Sequence, residues 1–211
     1  MSADGNPRPH KPALFADLTE MIDAAGGSVH TSRAELAAAT AAVLVRAGRS
    51  PGDGERFVSL ADEVGLDTLA ALWRDAEPVS LPGALWALYL LRQWCRSAPA
   101  DVTRLWRAGE PVAAADAVVA GVADYADDAA IQRVADSVLG GVYTGDLAVA
   151  LERAAAFFRV VAAGRRYLVD GELDSDVDGL DAAEIELAER NERAAAALST
   201  AARRWRAGTL H

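Results

Sequence analysis

Apolar residues recur at every third or fourth position along most of this chain, which is the spacing of one face of an α-helix. The most regular of these stripes, with steps of four, three, four and three residues, consists of Leu147, Leu151, Ala154, Phe158 and Val161. Sustained alternation of apolar and polar residues, which is typical of strands, is not found. The pattern therefore predicts an all-α protein, a compact multi-helix bundle or array of about eight to nine helices.

Interruptions of this periodicity divide the chain into four parts. Residues 1–12 are polar and contain three prolines, which predicts a disordered N-terminal tail. Residues 13–169 are predicted to form an all-α helical domain, and residues 170–181 an acidic linker that has no basic residue. Residues 182–207 are predicted to form a long C-terminal helix, which we expect to pack on the body or on a second copy of the chain.

The first helix of the domain is predicted at residues 13–25, where a pair of glycines ends it. Its apolar face consists of Leu14, Leu18 and Met21 or Ile22. A second helix is expected to begin near Ser32, since Ser32 and Glu35 have the spacing of a capping box.

Capping residues and glycines set the expected ends of the later helices. Ser80 is expected to cap a strongly apolar helix, and Asp127 or Asp128 to cap another. The second of these is expected to stop at the glycine pair 140–141, and Thr144 to begin the long helix that carries the most regular stripe.

The C-terminal helix has a narrow apolar stripe made largely of small residues, which suits close packing of one helix on another. The candidate interaction residues on this stripe are Leu187, Ala194, Leu198 and Trp205. The pairs Glu186–Arg190 and Glu189–Arg193 are predicted to form ion pairs one turn apart, each worth roughly 0.2–0.5 kcal/mol.

The acidic linker resembles the first half of an EF-hand calcium loop. Asp174, Asp176 and Asp178 alternate as the first ligands of such a loop do, and a glycine follows them. The residue at the twelfth position is Ile185 where a bidentate glutamate is expected, with Glu184 beside it. One interpretation is a calcium site formed by the three aspartates and Glu184, and the other is a solvated linker that caps the last helix.

Residues 59–75 resemble a degenerate helix-turn-helix. Apolar residues precede a turn at Gly65, after which Asp67 is expected to cap a second helix. That helix offers only Arg74 and mostly apolar side chains where base-reading residues would stand. The alternative is a pair of short helices packed around a glycine turn.

The aromatic residues favour a core over a stacking platform for a planar ligand. The tryptophans concerned are Trp73, Trp86, Trp94 and Trp106, of which the middle two stand two turns apart on one helix. Cys95 lies on that helix among arginines that would lower its pKa if it were exposed. Because no histidine is placed to assist it, we expect a structural cysteine.

Composition removes several classes of function. The chain has 211 residues, 21 basic and 31 acidic, and a formal net charge of −10, which makes a nucleic-acid partner unfavourable. One cysteine and three histidines exclude the usual zinc and iron–sulfur ligand sets. No apolar run has the roughly 20 residues that a membrane helix needs, so we expect a cytoplasmic protein without a membrane partner.

These observations lead to three hypotheses about function. The first is a non-enzymatic protein that acts through protein–protein interaction or through self-association as a homodimer. The second is a ligand- or calcium-responsive regulator built on residues 59–75 or on the acidic linker. The third is an enzyme with an arginine/carboxylate site. The sequence assigns no catalytic or cofactor-binding residue, and calcium is the only cofactor it suggests.

Overall fold

All regular structure that can be described is α-helical. The computed structural model describes residues 33–47, 62–63, 65–122, 126–171 and 178–211. Within these ranges there are eight α-helices and no strand, so the predicted all-α fold is confirmed. The helices are α1 Arg33–Ala47, α2 Leu66–Trp73, α3 Leu81–Ser97, α4 Pro99–Gly109, α5 Ala114–Ala120, α6 Asp128–Thr144, α7 Leu147–Gly171 and α8 Asp178–Arg206.

Helix α7 lies at the centre of the fold. It packs against α8 along much of its length, and also against α4, α5, α6 and α3. Its predicted stripe is buried, as are Phe157 and Val160 beside it. Burial on several sides explains why α7 is apolar beyond one stripe, since a helix surrounded by neighbours has no face reserved for water.

Two glycines let α4 and α7 approach until their backbones touch. A Cβ atom placed on Gly164 would lie 1.9 Å from the carbonyl oxygen of Leu105, and one placed on Gly109 would lie 1.9 Å from that of Val160. Neither distance leaves room for a methyl group, so the separation of these helices depends on glycine at both positions.

The remaining helices form a second layer. Helices α3 and α6 pack against each other, and α1 and α2 cover α3 from the other side. Trp73 on α2 and Trp106 on α4 are fully buried, while Trp86 and Trp94 pack partly buried against the core. The tryptophans thus lie in or against the hydrophobic core.

Two predicted caps are present. The Ser80 hydroxyl accepts a hydrogen bond from the Gly83 N–H at 3.2 Å, and the Asp127 carboxylate accepts one from the Ala130 N–H at 2.6 Å. Each side chain satisfies an N–H that would have no partner within its helix.

Other predicted helix ends were wrong. Helix α6 continues through the glycine pair 140–141 to Thr144, because Val142 and Tyr143 are buried and packing outweighs the low helix propensity of glycine. Helix α7 therefore begins at Leu147 instead of Thr144. Helix α2 is preceded by Gly65, without the side-chain cap expected from Asp67.

The helices on either side of the predicted linker extend into it. Helix α7 ends at Gly171 and α8 begins at Asp178, which leaves residues 172–177 outside the described part of the chain. Acidic residues are favourable in the first turn of a helix, so Asp178 and Asp181 suit the start of α8. The predicted tail 1–12 and helix 13–25 also lie outside the described residues.

Helix α8 packs on the body of the protein, along α7. The predicted pairs Glu186–Arg190 and Glu189–Arg193 are both formed on its exposed side. No helix in the described part of the chain combines the length and apolar character needed to cross a membrane.

Candidate functional site

Helix α1 is apolar on a face that the core does not cover. Its core face is formed by Ala37, Thr40, Ala41, Leu44 and Val45. A second stripe, with steps of four residues, consists of Ala34, Ala38 and Ala42, and it meets the core face at the buried Val45. Ala34 and Ala42 are exposed and Ala38 is half-buried, so these three alanines form an accessible wall of small side chains.

A second wall stands opposite this stripe. It is formed by Leu72 and Pro82 at the end near Arg33, and by Trp205 and Leu210 at the end near Arg46. Two cavities, of about 430 Å³ and 480 Å³, lie between the walls and share Ala38 and His211 as lining residues. The two cavities adjoin each other along α1, and we call them together the α1 groove.

The end of α8 holds the second wall in place. The Thr209 N–H donates to the Arg204 carbonyl at 2.9 Å and the Gly208 N–H to the Trp205 carbonyl at 3.0 Å, which is the Schellman pattern. Gly208 has a φ of +69°, a conformation that other residues adopt only at a cost. The Leu81 N–H then donates to the His211 carbonyl at 2.8 Å, which ties the last residues to α3.

Helix α1 is fixed from behind by a buried hydrogen bond. The indole N–H of Trp73 donates to the Thr40 hydroxyl at 3.1 Å, and that hydroxyl donates back to a carbonyl of its own helix. Trp73 in turn lies 6.1 Å from the ring of Tyr89 on α3. Helix α1, which forms the first wall of the groove, is therefore held by a hydrogen bond to a tryptophan that packs against α3.

Basic side chains stand at both ends of the groove. Arg33 lies at one end, in an exposed ion pair with Asp75 at 3.3 Å. Arg46 lies at the other end and makes no ion pair with another described residue. Asp75 and Glu77 line the same cavity as Arg33 and offset its charge, whereas no carboxylate side chain of the described residues lines the cavity beside Arg46. This arrangement suits an apolar helix that carries acidic residues at the end near Arg46.

The most buried arginine with two carboxylate partners is Arg92, and its cluster with Asp62 and Asp136, which we call the clamp, holds parts of the fold together. The Arg92 side chain is 5% exposed, and its Nε donates to Asp136 at 2.6 Å. Its two terminal nitrogens donate to the carboxylate of Asp62 at 3.1 Å and 2.9 Å. This bond and the charge of Arg92 lower the pKa of Asp62. The guanidinium thereby joins residue 62 to α3 and α6, and both carboxylates already have a partner.

The tyrosine and cysteine side chains buried near this clamp stay protonated at neutral pH. The hydroxyls of Tyr89 and Tyr143 are 2.9 Å apart and form a buried hydrogen bond. Burial raises the pKa of Tyr89 to about 12. Burial, with the nearby charge of Asp136, also raises the pKa of Cys95 to about 12, so its thiol stays protonated at neutral pH.

The predicted calcium ligands are only partly described. Asp174 and Asp176 lie outside the described residues, and Asp178 is the first residue of α8. Glu184 accepts a hydrogen bond from Arg165, whose guanidinium also lies over the ring of Trp94. Among the residues that can be described, no three acidic, histidine or cysteine side chains are grouped as metal ligands. The calcium site therefore stays a prediction.

The predicted interaction stripe of α8 faces inward along most of its length. Leu198 is buried, Ala194 and Trp205 pack partly buried against the core, and Leu187 is 37% exposed. Trp205 also borders the α1 groove. It is the member of the stripe that the structure places at the candidate site.

The second helix of the possible helix-turn-helix presents no basic surface. In α2, Leu69 and Trp73 point into the core, and the exposed positions are Asp67, Thr68 and Ala71. Phosphate contacts need lysine or arginine side chains, and α2 offers only its C-cap residue Arg74, which lies 3.8 Å from the carboxylate of Asp75. Residues 59–61 and 64, on the other side of the turn, are outside the described part of the chain.

Comparison of the chain with protein-family models, with curated proteins and with solved structures finds no significant match.

Proposed function

We propose that the protein acts without catalysis, by binding an amphipathic helix of a partner protein in the α1 groove. The observation that carries this proposal is the pair of adjoining, largely apolar cavities between the stripe of α1 and the wall that contains Trp205. Small side chains on α1 allow a second helix to approach closely, and a nearby tryptophan is a common anchor of protein interfaces.

The dimensions of the groove define the partner. Helix α1 has 15 residues and is about 22 Å long at 1.5 Å per residue. A partner helix of about four turns, with large apolar residues at steps of four and three, would fill a channel of this length. Arg46 favours acidic residues at the end of that helix beside it, while Asp75 and Glu77 offset the charge of Arg33 at the other end.

A peptide library tests this proposal. Displayed amphipathic helices of about 15 residues would be selected on the wild-type protein and on Ala38→Arg, which places a long cation where the two cavities meet. We expect peptides with acidic residues at one end to be enriched on the wild type, and their Kd to rise at least tenfold on Ala38→Arg.

The matched control is Ala115→Arg, which adds the same side chain at an exposed position of α5. Ala115 is exposed and Ala38 is half-buried, so thermal melting of both variants would establish that each is folded before binding is compared. Equal binding to the two variants, or no enrichment of any peptide on the wild type, would contradict the proposal.

Self-association is a second candidate, favoured by a different surface. Val112, Val118 and Val119, on or next to α5, are 61%, 81% and 51% exposed. The one charge of α5, Asp116, is paired with Arg159. Each copy carries a net charge of −10, so two copies repel each other. The repulsion is smallest when the uncharged valine surface of one copy contacts the same surface of the other.

Light scattering coupled to gel filtration tests this candidate. We expect the wild type at high micromolar concentration to include dimers, and Val118→Glu to remain monomeric. A monomeric wild type at these concentrations would contradict self-association without affecting the proposal for the groove.

A further inference from the structure

We propose that a cavity bordered by α6, α7 and the end of α5 binds the phosphate group of a small phosphate monoester. The cavity has a volume of about 250 Å³ and shares no lining residue with the α1 groove, so the two proposals are independent. Its lining consists of Gly121, Ala130, Arg133, Val134, Ser137 and Arg153. No carboxylate of the described residues belongs to this lining, although the chain has a net charge of −10.

Helix α6 supplies one side of this cavity. Its four lining residues are three, one and three positions apart, a spacing that places them on one face of the helix. Ala130 and Val134 are buried and give this side an apolar base. Arg133 and Ser137 are exposed beside them, so a ligand would contact polar donors next to an apolar surface.

Arg153 of α7 supplies a cation whose orientation is fixed. Its Nε donates to the Ala120 carbonyl at 3.2 Å, which satisfies a carbonyl at the C-terminal end of α5. Its Nη1 donates to the Ser137 hydroxyl at 3.2 Å. A guanidinium has five N–H groups, so three of them make no hydrogen bond with another described residue. Because the Ser137 hydroxyl accepts the bond from Arg153, its own O–H is left to donate to a ligand.

Gly121 adds no side chain next to the Nη2 atom of Arg153. A Cβ atom placed on Gly121 would lie 3.2 Å from this nitrogen, so a larger residue would crowd the guanidinium. The φ of Gly121 is +78°, which favours glycine at the C-cap of α5. The same glycine therefore ends α5 and leaves room beside Arg153.

Arg133 supplies the second cation. Its side chain is 71% exposed, and its one ion pair with a described residue, to Asp127, spans 3.9 Å. This distance is too long for a hydrogen bond, and Asp127 already accepts the Ala130 N–H as the cap of α6. An exposed pair of this kind contributes little to stability, so Arg133 can turn toward a ligand at small cost.

This set of donors favours phosphate over a carboxylate. A phosphate monoester carries nearly two negative charges at pH 7 and three terminal oxygens, enough to accept from Arg133, Ser137 and Arg153 together. Arginine binds such groups through paired N–H···O bonds. A carboxylate has one charge and two oxygens. Ala130 and Val134 suit a small apolar group esterified to the phosphate.

Calorimetric titration of the full chain tests the chemistry of the ligand. The probes are phenyl phosphate, inorganic phosphate and benzoate. We expect phenyl phosphate to bind with a Kd of about 1 mM or lower, inorganic phosphate at least threefold more weakly and benzoate at least tenfold more weakly. Absence of saturable binding by phenyl phosphate, or an equal affinity for either of the other probes, would overturn the assignment.

Variants test the position of the site. Arg133→Gln and Ser137→Ala alter exposed side chains, and each should raise the Kd of phenyl phosphate at least threefold without changing the melting temperature. Arg153→Lys keeps the charge but loses the paired donors, and should raise that Kd at least tenfold. The matched control is Arg193→Gln, which removes a comparably exposed arginine from α8 and should leave the Kd unchanged. If Arg133→Gln and Arg193→Gln had the same effect, binding would reflect overall charge and the proposal would fail.

Discussion

Helices α7 and α1 are both rich in alanine, yet they have opposite environments. Helix α7 buries 14 of its 25 residues and touches helices on several sides, whereas α1 buries five of its 15 and leaves a row of alanines in the wall of a channel. The same residue type therefore serves dense packing in one region and an accessible surface in the other. What differs is whether another helix of the described part of the chain covers it.

The two regions also differ in what fixes them. At α7 the constraint is steric, because two glycines place backbone against backbone. At α1 it is polar, because a hydrogen bond between Trp73 and Thr40 connects the helix to α2. Steric contact of this kind tolerates no added atom, while a single hydrogen bond can be weakened without moving the rest of the fold.

The largest effect is expected from closing the space between α4 and α7. Gly164→Ala places a methyl group 1.9 Å from a backbone oxygen, so the two helices must separate. We expect the free energy of unfolding to fall by about 3 kcal/mol or more, measured by urea denaturation.

The control for this prediction is Gly171→Ala at the end of the same helix, where an added Cβ would meet nothing within 4 Å. That change should be neutral or stabilise the protein by up to about 1 kcal/mol. Equal stability of the two variants would show that α4 and α7 are not in backbone contact.

An intermediate effect is expected at the support of α1. Thr40→Val keeps the shape of a fully buried side chain but removes the oxygen that accepts the Trp73 indole N–H. A buried donor left without a partner costs about 1–3 kcal/mol. Hydrogen exchange should locate the loss, since amides of α1 should exchange faster while those of α7 change less.

Thr40→Ser is the matched variant because it keeps the hydroxyl and loses only a methyl group. It should retain most of the protection of α1 against exchange. Faster exchange of α7 and α1 alike in Thr40→Val would mean that the two regions unfold as one unit.

A smaller effect is expected at the clamp that joins α3 and α6 to residue 62. Because Arg92 lowers the pKa of Asp62, this carboxylate stabilises the fold above its unfolded pKa near 3.8, and the contribution is lost as the pH falls below that value. The side chain of Asp62 is 40% exposed, so we expect Asp62→Asn to cost only about 1 kcal/mol at pH 7.

The pH dependence distinguishes charge from shape at this position. Urea denaturation at pH 7 and at pH 3 should show the difference between Asp62→Asn and the wild type shrinking as Asp62 becomes protonated. Asp170→Asn, at an exposed position near the end of α7, controls for the loss of one negative charge. A difference that stays constant with pH would argue against the ion pair.

The sequence predicts local features of this fold well, because they depend on residues close together in the chain. The cap at Ser80 and the pair Glu186–Arg190 are examples, since each needs only residues within one turn of helix. The contact between Gly109 and Gly164 could not be predicted, because the sequence does not show which glycines of two distant helices meet in the folded chain.

The candidate site escapes sequence reasoning for a related reason. The alanines of α1 form a visible stripe, but a stripe that faces the core and one that faces a channel have the same spacing. Trp205 was expected at an interface, yet its place opposite Ala38 depends on how α8 ends and packs beside α3. Sites that combine distant segments are set by tertiary packing.

The smallest effect is expected in the wall of the groove itself. Ala42→Gln adds a polar chain to an exposed position of α1, so the free energy of unfolding should change by less than about 0.5 kcal/mol. The matched change Ala154→Gln puts the same chain into the fully buried stripe of α7 and should cost several times more. If urea denaturation gave the two variants the same loss, Ala42 would be as closely packed as Ala154, and the contrast between the two helices would be wrong. A small loss at Ala42, together with weaker peptide binding, would instead show that this row of alanines is kept for a ligand and contributes little to the stability of the fold.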